Sequence, residues 1–235
     1  MIRIHQLTVA FGGVKAIDSL DAVLSEPVCG LIGPNGAGKT TLINVLGGLV
    51  RPSAGQVEVE GRALLPMTPL ARVRFGVRRS FQTEQVVEDL SVWDNVQAVL
   101  DHVPHEQGAA GQQIARALDH VGLLDVATVL GRELNLYQRR MVEIAKSLVG
   151  EPKLLMLDEP GAGLTEQEAG ELRRAIRAVP EFCGAQVLLI DHDVDLIAAT
   201  CSQTLVLDFG RRIALGPTRE VLDDPAVRAA YLGTT

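Results

Sequence analysis

One stretch decides the fold of this 235-residue chain, GPNGAGKT at residues 33–40. It fits the pattern G-x-x-x-x-G-K-[ST], in which glycines let the backbone fold so that successive N–H groups converge on one centre. An apolar run at residues 28–32 precedes the stretch, and apolar residues recur at helical spacing over residues 40–49. The order of strand, glycine-rich loop and helix is the context that this pattern requires.

This loop predicts a phosphate-binding site. Its N–H groups and the helix start are expected to bind phosphate oxygens, while Lys39 reaches the terminal phosphates and the Thr40 hydroxyl ligates magnesium. The alternative, a turn that binds nothing, is disfavoured because Lys39 and Thr40 both fall at the required offsets. The residues predicted to bind nucleotide here are Gly33, Asn35, Gly36, Ala37, Gly38, Lys39, Thr40 and Thr41.

A later apolar run, LLMLDEP at residues 154–160, ends in two acids. Its composition predicts a buried strand that brings Asp158 to the carboxyl edge of a sheet, where ligands bind in open α/β folds. We expect Asp158 to orient magnesium through its water shell, and Glu159 to accept a proton from the attacking water or to polarise it. The alternative is an exposed acid pair at a strand end, and the phosphate loop favours the site.

The composition excludes several classes of protein. With 47% apolar residues, 22% charged residues and 23 glycines, the chain is expected to be compact rather than disordered or collagen-like. A net charge of −7 leaves no basic field for a nucleic-acid backbone. No apolar run approaches the roughly 18 to 20 residues that span a bilayer, and the first residues lack a secretory signal, so we expect a cytosolic chain. The cysteines at positions 29, 183 and 201 are predicted to be buried thiols.

Apolar periodicity divides the chain into β and α segments. Residues 1–31 predict strands, and residues 54–65 predict a half-solvated antiparallel strand. The period becomes helical from about residue 86 to residue 150. Buried strands at residues 153–157 and 187–190, with a helix between them, then restore the alternation of β and α.

These motifs resemble those of the nucleotide-binding subunit of an ATP-binding-cassette (ABC) transporter, and the resemblance covers essentially the whole chain. It implies an α/β fold with a P-loop NTPase (RecA-like) core, an antiparallel β subdomain and an inserted α-helical subdomain. On this chain it implies one domain, with the core and β subdomain at residues 1–85 and 151–235 and the helical subdomain at residues 86–150.

Three further residues receive roles from the resemblance. Gln82, in SFQ, matches the Q-loop glutamine, which contacts magnesium and the attacking water. His192, in DHD, matches the switch histidine, which contacts the terminal phosphate; an ordinary histidine at a strand end is the alternative. Phe11 resembles the aromatic residue that stacks on adenine, with a core phenylalanine as the alternative.

The signature motif departs from the family pattern, because LNLYQ at residues 134–138 replaces the usual Leu-Ser-Gly-Gly-Gln. Asn135 can cap the following helix in place of serine, and Asn135 and Gln138 remain predicted nucleotide-binding residues. Leu136 and Tyr137 place side chains where glycine lets a phosphate approach the backbone. In the family, the signature of one subunit covers the ATP of the other, so the partner's site is expected to be weakened.

Two other segments bear on partners. Thr165 ends the D-loop, GAGLT, where many members have aspartate, which affects signalling between subunits. Residues 83–95 match the surface that receives the coupling helix of the membrane subunit, although Trp93 within it is equally compatible with a core position.

The resemblance implies an ATPase that uses ATP and Mg²⁺ and works as a pair of cassettes. The expected partners are transmembrane permease subunits, a second cassette and, indirectly, a solute-binding protein, at the cytoplasmic face of the inner (plasma) membrane. Residues 210–233 resemble the branched-chain amino-acid and urea importer ATPases. The alternatives are a lipopolysaccharide-export ATPase and a weakly hydrolysing, regulatory half of a heterodimer. A soluble cassette of DNA repair or translation is disfavoured by the single cassette and the negative charge.

Overall fold

The computed structural model of the protein describes residues 1–80, 84–106 and 108–232. The strands are β1 Ile2–Phe11, β2 Val14–Leu24, β3 Val28–Ile32, β4 Ala54–Val59, β5 Arg62–Ala63, β6 Val77–Arg79, β7 Leu154–Asp158, β8 Gln186–Ile190, β9 Gln203–Asp208 and β10 Arg211–Pro217. The helices are α1 Lys39–Gly47, α2 Pro69–Phe75, α3 Val92–Leu100, α4 Ala110–His120, α5 Leu136–Leu148, α6 Glu166–Cys183, α7 Val194–Thr200, α8 Thr218–Asp223 and α9 Pro225–Val227. Short 3₁₀ turns lie at Leu124–Val126 and Gly131–Glu133, and a π-helical turn at Arg228–Leu232.

The strands form two sheets of different kinds. A four-stranded antiparallel sheet has the order β2-β1-β4-β5. A six-stranded sheet has the order β10-β9-β3-β8-β7-β6, in which β10 alone runs antiparallel to its neighbour. Because β3, β7, β8 and β9 are parallel, their carboxyl ends lie at one edge of the larger sheet, and the functional site is built at this edge.

Two apolar cores lie on the two faces of the larger sheet. Side chains alternate along β7, so Leu154 and Met156 face one core while Leu155 and Leu157 face the other. The first core lies between the two sheets and contains α1, whose Leu42, Ile43, Val45 and Leu46 are buried. The second core packs the opposite face against α3 to α7. Helix α1, which follows the glycine loop, is therefore packed between the two sheets.

The predicted fold class is confirmed. Residues 28–32, 153–157 and 187–190 coincide within a residue or so with β3, β7 and β8, and the helix predicted from residue 40 is α1. The sequence prediction did not find the short elements α2 and β6. Among the residues that the structure describes, no helix has both the length and the apolar content needed to cross a bilayer.

Candidate nucleotide site

The glycine loop leads from β3 into α1 and is shaped by close backbone contacts. Gly33 and Gly38 have φ values of 151° and 105°. A Cβ atom would lie 2.2 Å from the carbonyl oxygen of Leu207 at Gly33, and 2.5 Å from that of Ala16 at Gly38. Neither position has room for a side chain, so glycine is required at both. The loop is thereby fixed against β9 and β2.

The start of α1 is suited to bind an anion. Gly38 is its N-cap, and no side chain among the described residues caps the helix, nor does an acidic residue lie in its first turn. The first N–H groups of a helix have no partner within the helix and carry positive potential. Asn35 and Gly36 are exposed in front of this turn, and Ala37 is buried behind them. A phosphate would satisfy these N–H groups.

Lys39 lies between the loop and the acid pair. Its Nζ donates to the carbonyl oxygens of Gly33 at 2.5 Å and Pro34 at 3.1 Å. Burial lowers the pKa of the Lys39 ammonium, and the carboxylates of Glu159 and Asp158 oppose this shift. The cation is therefore within electrostatic reach of both acids that the sequence predicts for the site.

Asp158 ends β7 as a buried acid. Its side chain is 3% exposed, and Arg79 Nη2 donates to Asp158 Oδ2 at 3.2 Å. The Asp158 N–H donates to the Ser80 hydroxyl oxygen at 3.1 Å. Burial raises the pKa of the Asp158 carboxyl, and Arg79 counteracts this effect. The alternative of an exposed acid pair does not hold for Asp158.

Glu159 and His192 lie beside each other at the same sheet edge. Glu159 Oε1 is 3.7 Å from His192 Nδ1, and Asp191 Oδ1 is 3.6 Å from the same nitrogen. Glu159 has a φ of 50°, and its N–H donates to the Ile190 carbonyl oxygen at 2.8 Å. A residue other than glycine in this conformation is strained, and such strain is concentrated at functional sites. The imidazole is 67% exposed, so a ligand in solvent can reach it.

Thr40 and Asp158 supply the oxygen atoms that a magnesium site would need. The Thr40 side chain is exposed in the first turn of α1, and Thr41 beside it is half-buried. A hydroxyl and a carboxylate are hard oxygen ligands, which Mg²⁺ prefers, and Mg²⁺ usually keeps several waters. The donor set therefore fits this ion.

Phe11 is exposed, so the alternative of a core phenylalanine is wrong. It ends β1 before the Gly12-Gly13 turn, and its side chain is 53% exposed. The next strand, β2, carries Ala16, whose carbonyl oxygen lies against Gly38 of the loop. The hairpin that carries this exposed ring thus contacts the phosphate loop through Ala16.

The signature segment forms a well-capped helix start. Gln138 N–H donates to Asn135 Oδ1 at 2.8 Å, and Asn135 N–H donates to Gln138 Oε1 at 3.1 Å, so Asn135 caps α5 as predicted. Tyr137 is half-buried in a crevice between α5 and α6 beside Glu171. Burial and the Glu171 carboxylate raise the pKa of the Tyr137 phenol to about 12. Of the two side chains that replace glycine, only Leu136 is exposed.

Thr165 and Trp93 have local structural roles. Thr165 is the N-cap of α6, and its hydroxyl and N–H both interact with Glu168 in a capping box. A threonine therefore stabilises this helix start where an aspartate would also cap it. Trp93 is partly buried and packs against the core of the helical segment, which supports a core position.

Gln82, predicted to act in catalysis and metal binding, lies outside the described residues. Arg79, three positions before Gln82, contacts Asp158 and was not predicted from the sequence. Its only signal is a basic residue next to the SFQ motif, and the pairing of β6 with β7 was not predicted.

The fold and the loop define a P-loop nucleotide-binding domain. A family model described as "ABC transporter" matches residues 22–162, and one described as "Branched-chain amino acid ATP-binding cassette transporter" matches residues 211–235. The high-affinity branched-chain amino acid transport ATP-binding protein LivG of Salmonella typhimurium is 32% identical over 250 residues, which cover 99% of this chain and 98% of LivG. The chain belongs to the ABC transporter family, and it is an ATPase.

Two other relatives support the same family. The lipopolysaccharide export system ATP-binding protein LptB of Acidithiobacillus ferridurans is 35% identical over 211 residues, which cover 90% of this chain and 87% of LptB. The crystal structure of the ADP conformation of MJ1267, an ATP-binding cassette of an ABC transporter, superposes with a TM-score of 0.86 at 27% identity, covering 100% of this chain and 99% of that one.

Proposed function

We propose that this ATPase powers the import of branched-chain amino acids or related small polar solutes. The proposal is supported by the near-complete coverage of LivG and by the branched-chain family model at residues 211–235. LptB is similar over a smaller share of the chain, so lipopolysaccharide export is the second candidate. Uptake of labelled leucine by cells that carry or lack the chain tests the cargo, with labelled glutamate as the control solute.

The single observation that supports the nucleotide site most is the uncapped start of α1, whose first residue, Lys39, lies within electrostatic reach of Asp158 and Glu159. In our proposal the N–H groups of the loop and Lys39 bind the phosphates of ATP, and Phe11 stacks on the base. Thr40, Asp158 and Gln82 would hold Mg²⁺. When bound, the ion would neutralise charge that develops on the phosphates.

Glu159 is the proposed general base. It accepts a proton from the water that attacks the terminal phosphorus, and the neighbouring His192 imidazole holds that phosphate in position. Both side chains reach the edge from adjacent strands, and the 3.7 Å between them allows them to act on one group.

The proposed pair of cassettes is nucleotide-dependent. Each ATP would be covered by the signature segment of the opposing cassette, with Asn135 and Gln138 at its helix start. The exposed side chain of Leu136 would then lie between the signature segment and the ATP of the opposing cassette. This obstruction favours a second candidate function, in which the chain hydrolyses ATP weakly and regulates a different, more active cassette. Turnover of the chain alone, compared with its Leu136→Gly variant, distinguishes the two: a clear rise in the variant indicates obstruction.

A groove beside the site is the proposed contact for the permease. It encloses a cavity of about 310 Å³ between α2, β6 and α5, with mainly apolar walls. Leu49 and Val73 on its rim are 60% and 38% exposed. In our proposal a permease helix of the kind the family uses buries these side chains, and the chain lies peripherally at the cytoplasmic face of the membrane. Co-purification with the permease should be lost in Leu49→Asp and kept in Leu124→Asp, a matched exposed leucine.

A Glu159→Gln variant tests the hydrolytic role. It should bind ATP, form nucleotide-stabilised dimers and release no phosphate, because the amide cannot accept the proton. Glu166→Gln, an exposed acid seven residues further along the chain, is the matched control and should hydrolyse ATP normally. Unchanged phosphate release by Glu159→Gln would discard Glu159 as the base.

A further inference from the structure

Arg79 joins two parts of the nucleotide site. It is the last residue of β6, the edge strand of the larger sheet. Its Nη1 donates to Asn44 Oδ1 of α1 at 2.5 Å, and its Nη2 donates to Asp158 Oδ2 at 3.2 Å. One planar guanidinium therefore links the helix that follows the phosphate loop to the acid proposed for the metal.

The ion pair is shielded from water. The side chains of Arg79 and Asp158 are 13% and 3% exposed. Removing one partner of such a pair leaves the other charge buried without compensation, which is far more costly than losing a surface ion pair. Lys39 also attracts Asp158, but Arg79 is the larger influence on that carboxyl and donates a hydrogen bond to it. Arg79 is thus the main fixed partner of Asp158.

Arg79 is also part of the groove wall. It lines the cavity of about 310 Å³ together with Val77, Arg78 and Met156, opposite residues of α2 and α5. The same side chain therefore contacts the proposed metal acid on one side and borders the proposed permease contact on the other. β6 is an edge strand that pairs with β7 on one side and packs against α1 and α2, so Arg79 lies between the acid and the helices beside the groove.

We propose that Arg79 is a positioning residue that fixes Asp158 and transmits the state of the metal site to the wall of the groove. This inference rests on the proposed function, which assigns the metal site at Asp158 and the permease contact at the groove. If the Asp158 carboxylate held a cation, its hydrogen bond from Arg79 would weaken, and the guanidinium, still bonded to Asn44, would change its contacts at the groove. Arg79 acts through Asp158 and is not itself a catalytic residue.

A double-mutant cycle tests the first half of the proposal without nucleotide or metal. Arg79→Met should lower Tm by roughly 6–20 °C, from the cost of an uncompensated buried charge. The loss should be much smaller when Asp158→Asn is already present, because the charge is then absent. Arg78→Met, a buried arginine on the same strand that bonds to Val73, is the matched control and should be additive with Asp158→Asn. Additivity of Arg79→Met with Asp158→Asn would overturn the link.

Hydrogen exchange tests the second half with a conservative variant. In the wild-type chain, Mg²⁺ with AMP-PNP should change the exchange of amides over residues 69–79. Arg79→Lys keeps a charge near Asp158, but its single ammonium cannot hold Asn44 and Asp158 as the fork does, so this change should be lost while the analogue still binds. The same exchange change in Arg79→Lys would overturn the proposal. Failure of the wild-type chain to bind the analogue would instead refute the proposed nucleotide site, and the double-mutant cycle would still decide on Arg79.

Discussion

Alanine at Gly38 measures how far the phosphate loop depends on its contact with β2. The Gly38→Ala methyl group would lie 2.5 Å from the Ala16 carbonyl oxygen, in a backbone conformation with a φ of 105°. Gly36→Ala is the matched control, because Gly36 has a φ of 82° and no atom within 4 Å of a Cβ. Both variants bear the cost of a positive φ, roughly 1–2 kcal/mol. Only Gly38→Ala adds an overlap with a backbone atom, about 1–3 kcal/mol in well-packed structures.

The difference between the two variants is thus expected to be about 1–3 kcal/mol in the free energy of unfolding, or roughly 2–12 °C in Tm for a chain of this size. Thermal unfolding without nucleotide measures it, and calorimetric titration with Mg²⁺ and AMP-PNP shows whether the loop still binds. We expect Gly38→Ala to lose more thermal stability and more nucleotide affinity than Gly36→Ala. Equal Tm losses in Gly36→Ala and Gly38→Ala would refute the argument that close packing against Ala16 shapes the loop.

Other predictions concern the thiols, a helix cap and a turn. Iodoacetamide near neutral pH should modify Cys183 before Cys29 and Cys201, since burial raises the pKa of the latter two thiols to about 12; peptide mass spectrometry checks the order, and equal rates would contradict it. Thr165→Ala should lower the free energy of unfolding in denaturant by about 1 kcal/mol, whereas Thr165→Asp should retain the cap. Phe209→Asn should raise Tm by about 2–4 °C, because Phe209 is 85% exposed with a φ of 42° and asparagine tolerates that conformation; an unchanged or lower Tm would argue against strain there.

The central strands of the larger sheet could be predicted because all their residues lie in the same buried environment. β3, β7 and β8 are buried on both faces and therefore read as continuous apolar runs. The glycine loop was found because close backbone contact excludes other residue types at Gly33 and Gly38. The acids at the end of β7 followed from the rule that ligands bind at the carboxyl edge.

The elements that escaped prediction depend on tertiary contacts. β6 has three residues, two of them arginines, and its strand character comes from pairing with β7. Arg79 reaches Asp158 only because of that pairing, so no local pattern marks its role. The direction of the Tyr137 ring, into the crevice between α5 and α6, is set by the packing of two helices that β7 separates along the chain. The sequence identifies the side chains at the start of α5, but it does not predict the directions in which they point.

A crystal structure of the chain with Mg²⁺ and AMP-PNP tests the central claim most directly. We expect the triphosphate against the N–H groups of residues 36–40, the metal between Thr40 and Asp158, and the Glu159 carboxylate beside the terminal phosphate. A loop without bound phosphate at saturating analogue, or a nucleotide bound away from Lys39 and the acids at the end of β7, would contradict the account.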